Sequence, residues 1–92
     1  MEKFLDKCFK NEAHKKPVYF NSTKTLRFET EPQFLYSYEE IICEITNDGT
    51  ILLFNKTASS GNFFSMTTSN HISKIKNYLE MNDIEFEFLN NF

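Results

Sequence analysis

Asn47-Asp48-Gly49 limits what this chain can become more than any other feature, because an Asp-Gly pair readily takes positive φ and closes a tight antiparallel turn. Before it, Ile41, Cys43 and Ile45 alternate with Glu44 and Thr46, the period of a strand with one buried face. After it, Ile51-Leu52-Leu53-Phe54 is continuously apolar, as in a strand covered on both sides. The spacing predicts a hairpin over about 40–54 at the centre of the fold.

Other elements arrange themselves around that hairpin. Phe4, Leu5, Cys8 and Phe9 make one apolar stripe with Lys3, Lys7 and Lys10 off it, which predicts an amphipathic helix from Glu2 to about Glu12. Pro17 disfavours helix at the residue before it and closes that segment. Val18-Tyr19-Phe20, residues 25–29 and Phe34 to Tyr38 read as strands, and a short strand is expected from Phe63 to Met66. Thr67-Thr68-Ser69 reads as a helix start in which Thr68 or Ser69 caps the first turn. Ile72, Ile75 and Leu79 form the buried stripe of a helix near 69–81, and Ile84, Phe86 and Phe88 alternate with Glu85 and Glu87 as a last strand. The expected fold is α+β: a single domain over 1–92, with a small antiparallel sheet packed against an N-terminal helix and the helix near 69–81.

A chain of 92 residues needs large side chains to make a core, and eleven Phe with four Tyr supply them. No apolar run approaches the ~18 residues of a membrane span, and charges at Glu2, Lys3, Asp6 and Lys7 occupy the place of a signal peptide's apolar stretch. A cytoplasmic protein that does not engage the membrane is expected. Cys8 and Cys43 lack any CxxC spacing and read as reduced core residues.

The formal charge of −3 conceals an asymmetry. Through Arg27 the chain carries seven basic and three acidic residues, a balance of +4; from Phe28 onward it carries three basic and ten acidic, a balance of −7. A basic first third suits phosphates and an acidic remainder suits a basic partner, although both patterns also fit solvated faces of a soluble protein.

Three groups are candidate sites. Thr67, Thr68 and Ser69, with His71 in the first helical turn, put hydroxyls, free N–H groups and an imidazole where an anion can bind; simple capping explains the same hydroxyls. Tyr36 and Tyr38, with Tyr19, suit base stacking or packing, and no lysine lies between Phe28 and Asn55 to favour the former. Glu80, Asp83, Glu85 and Glu87 form an acidic stretch. No metal-ligand spacing and no nucleophile–base pair is visible, so no catalytic residue, metal or cofactor is assigned and a non-enzymatic role is expected.

Tyr36-Ser37-Tyr38, Ile41-Ile42, Asp48-Gly49, Ile51 to Phe54, Ser65, Thr67-Thr68-Ser69 and His71 together carry a pattern that resembles a small domain of unknown function found in bacteriophage and plasmid proteins, over about residues 34–75. Glu39-Glu40 departs from the polar residues of that pattern. The resemblance implies a mobile-element origin and supplies no activity. Small acidic proteins of that origin often act by occupying a host surface. The expected function is stoichiometric binding to a host protein or nucleoprotein complex, as an anti-defence inhibitor of a CRISPR effector would, with the acidic residues against a basic nucleic-acid channel. The alternative is an RNA- or single-stranded-DNA-binding accessory protein using Lys3, Lys7, Lys10, Lys15 and Lys16 with the tyrosines.

Overall fold

The computed structural model describes residues 1–10, 17–20, 25–30, 33–56 and 66–90. Helix α1 (Glu2–Phe9) is followed by strands β1 (Val18–Tyr19), β2 (Leu26–Thr30), β3 (Gln33–Ser37), β4 (Glu40–Ile45) and β5 (Ile51–Phe54), then helix α2 (Met66–Met81) and strand β6 (Glu87–Leu89). The six strands form one sheet in the order of the sequence, β1-β2-β3-β4-β5-β6. The architecture is the expected α+β, with β4 and β5 paired antiparallel across the Asp48-Gly49 turn. Gly49 takes φ +88, which explains the glycine there.

The sheet is mixed rather than wholly antiparallel. Four neighbouring pairs run antiparallel, but β6 lies parallel to β5, with Leu52 opposite Glu87 and Phe54 opposite Leu89. The physical reason is α2, which carries the chain back to the end where β5 began, so the next strand must run the same way. Strand pairing also starts later than Ile84: residues 84–86 are an extended connection, anchored where the Ile84 N–H donates to the Leu79 carbonyl at 2.9 Å.

Alternation decides the faces. Leu26, Phe28, Leu35, Ile42, Cys43, Ile51 and Leu53 point to one side and form a single core with Phe4, Leu5 and Cys8 of α1 and Ile72, Ile75, Tyr78 and Leu79 of α2. Burying each large aliphatic side chain stabilises by roughly 1.5–3 kcal/mol. A register shift between Leu35 and Tyr36 lets Ile42 and Cys43, adjacent in sequence, both face inward. Burial pushes the Cys8 thiol up to about 12 and raises that of Cys43 further, so both behave as the apolar fillers expected.

Helix α2 begins at Met66, three residues before the expected start, so Met66 does not close a strand; residues 63–65 of that expected strand lie outside the described residues. Thr68 and Ser69 lie within the first turn and do not occupy the capping position. At the other end the chain leaves through a Schellman motif: the Asp83 N–H donates to Glu80 at 3.3 Å and the Ile84 N–H to Leu79, with Asp83 at φ 54. No helix among the described residues is long and apolar enough to cross a membrane.

Candidate functional site

The two halves of the sequence motif meet inside the protein. Ser37, at the end of β3, sits under the first turns of α2, with its Oγ 2.8 Å from His71 Nδ1 and 3.0 Å from Thr68 Oγ1. Ser37 is fully buried, and Thr68 and His71 are 2% and 7% exposed. Thr68 and His71 are three positions apart, so both project from one face of the helix onto the same strand residue. Burial, with a smaller contribution from Lys74, holds the His71 imidazole below its ordinary value of 6.5, so the ring is neutral near pH 7. The trio therefore binds strand to helix, and its Ser37 hydroxyl is closed to solvent. Of the other hydroxyls in the cluster, Thr67 is exposed and Ser69 half-buried.

Tyr36 lies on the sheet face away from the helices. The Arg27 guanidinium, on the neighbouring strand, lies over its ring at 4.4 Å. Arg27 also donates from Nη1 to the Tyr38 carbonyl at 2.6 Å and pairs with Glu29 at 3.3 Å. Tyr38 is exposed, with φ 56, and its N–H donates to the Thr25 carbonyl. No lysine lies between Phe28 and Asn55, but strand pairing places Arg27, just outside that stretch, directly opposite Tyr36.

Glu80, Asp83, Glu85 and Glu87, spread over the end of α2 and the start of β6, converge on one open cleft of about 870 Å³. Its opposite wall is the turn of the central hairpin, which adds Asp48. Asp48 is a fifth carboxylate that sequence reasoning read only as a turn residue. The hydroxyls of Thr46 and Thr50 and the Thr50 N–H hold its carboxyl down to about 2, so it is ionised throughout the physiological range. The described lining includes Leu79, Ile84 and Phe86 and no basic residue, and Lys76 pairs with Glu80 at 3.7 Å.

Sheet order explains how the charge asymmetry of the sequence is laid out in space. Because the strands lie side by side in sequence order, position along the chain becomes position across the sheet, and the asymmetry of the sequence becomes one of the molecule. The α1–β1 edge bears Lys3 and Lys7 beside Tyr19 and Phe20, whereas the β5–β6 edge bears the carboxylates. Lys15 and Lys16 lie outside the described residues. Among the described residues, no group of three or more His, Cys, Asp or Glu is placed to hold a metal ion.

The model of a family of unknown function (DUF8033) matches residues 5–90. No curated protein and no solved structure matches the chain.

Proposed function

The chain belongs to that family, whose function is unknown, and we propose that it is a non-enzymatic accessory protein of phage or mobile-element origin that binds a host protein stoichiometrically through its acidic cleft. The partner surface this reading calls for is basic, such as the nucleic-acid channel of a defence nuclease, and inhibition follows from occupying it. The origin rests on the resemblance of residues 34–75; the mode of action rests on the cleft.

One observation carries the reading. Three of the carboxylates, Asp83, Glu85 and Glu87, make no ion pair among the described residues, whereas Glu80 pairs with Lys76 and Asp48 braces its turn. Asp83 occupies the left-handed position after α2, where glycine is the usual residue, and it does so at the negative end of the helix dipole. No basic residue occupies the last turn of α2 to offset it. Glu85 and Glu87 are exposed and add like charge nearby. A cluster that opposes stability at several positions, beside apolar residues, is arranged for something outside the molecule.

The test is capture of host proteins on the purified chain, compared with a variant carrying Glu80→Gln, Asp83→Asn, Glu85→Gln and Glu87→Gln. The expected result is one partner retained at a fixed stoichiometry by the parent and lost by the variant, with an association rate that falls as salt rises. Equal retention by both chains overturns the assignment of the cleft.

A further inference from the structure

The opposite edge of the sheet carries a second surface of different chemistry. Lys3 and Lys7, one turn apart on α1, line an open hollow of about 210 Å³ with Phe4, Val18, Tyr19 and Phe20. Tyr19 and Phe20 are 43% and 38% exposed, so both present ring surface to solvent beside the lysines. Phe20 is held edge-on by Phe4, ring centroids 5.8 Å apart, so its position is fixed.

The charges of α1 are sorted by side. Asp6 accepts from the Tyr78 hydroxyl at 2.5 Å and pairs with Lys10, which also donates to Asn82 at 2.7 Å; both therefore turn toward α2. Glu2 borders the groove between the two helices. Lys3 and Lys7 turn the other way, and among the described residues neither makes an ion pair. No carboxylate lines the described hollow.

We infer that this hollow binds a single-stranded nucleic acid, with Lys3 and Lys7 on phosphates and Tyr19 and Phe20 stacked on bases. Cations without an ion pair among the described residues, beside flat, exposed rings, match a ligand that is both anionic and aromatic. The net charge of −3 does not oppose this. The acidic edge lies about 24 Å away, five strand spacings of ~4.8 Å, and the screening length is about 8 Å at physiological salt. The inference is independent of the acidic cleft, and it places nucleic acid and a basic protein surface on opposite edges of one sheet.

Fluorescence anisotropy with labelled oligo-dT and oligo-U of about 12 nucleotides tests it, titrated between about 50 and 200 mM salt. Both strands should bind, and affinity should fall as salt rises. The Lys3→Gln, Lys7→Gln double variant should reduce the slope of log affinity against log salt by about 1.4, or 0.7 per lost phosphate contact. Tyr19→Ala should weaken binding at least about fivefold, and Glu85→Gln with Glu87→Gln should leave the Tyr19 and lysine effects intact. Absence of binding at about 50 mM salt, or binding that ignores both variants, overturns the inference. So does displacement of the oligonucleotide by poly-glutamate as effective, charge for charge, as unlabelled oligo-U, which would make the hollow a surface for acidic protein.

Discussion

Ser37 is the residue on which the most depends for its size. Its hydroxyl is the shared partner of Thr68 and His71, so Ser37→Ala removes one buried bond from each of them. That loss should cost about 1–3 kcal/mol in urea unfolding. The same trio makes stability depend on pH. Since burial depresses the folded-state value of His71, the unfolded chain takes up a proton first as pH falls. Stability contributed by the neutral ring is fully present above about 6.5 and declines below it, levelling once the folded state also protonates. Protonation fixes a hydrogen on Nδ1, so Ser37 must then accept from the ring. Melting temperatures of the parent should fall as pH is lowered below that point, and His71→Asn should flatten the decline. An equal decline in both proteins would assign it to other groups.

Helix α2 ends on a residue that its geometry disfavours, which makes Asp83 the position for a stabilising change. Asp83→Gly removes both the left-handed strain and a negative charge at the carbonyl end of the helix, and it should stabilise by about 1 kcal/mol, read as a raised melting temperature. The same helix shows what local reading could and could not reach. Its apolar stripe, Ile72, Ile75 and Leu79, was legible because period and burial agree, as was the hairpin around Asp48-Gly49, where alternation and turn chemistry agree. Its start was not. Thr68 and Ser69 look like caps in sequence, and only a partner 31 positions away, Ser37, shows that the Thr68 hydroxyl serves the core. Ile84 and Phe86 look like strand because they alternate with Glu85 and Glu87, yet pairing begins at Glu87, since periodicity reports burial and not hydrogen bonding. The four acidic candidates were legible as a charge run. Their convergence with Asp48 was not, because it depends on β6 lying parallel beside β5.

The whole molecule turns a charge gradient along the chain into a charge imbalance across a sheet, with an excess of carboxylates at the β5–β6 edge. Like charges at the β5–β6 edge repel in the free protein, Lys76 pairs with Glu80, and a basic surface that covers the edge relieves the remaining repulsion. Neutralising Glu85 and Glu87 together as glutamines changes two exposed side chains without touching the core. Stability should therefore stay within about 0.5 kcal/mol of the parent or rise slightly. Partner capture through the cleft should weaken in the same variant, most clearly at low salt where the field reaches furthest. A fold that gains or holds stability while binding is lost places these carboxylates in recognition. If the double variant instead unfolds more readily in urea, Glu85 and Glu87 support the structure, and the acidic edge loses its standing as the surface that meets a partner.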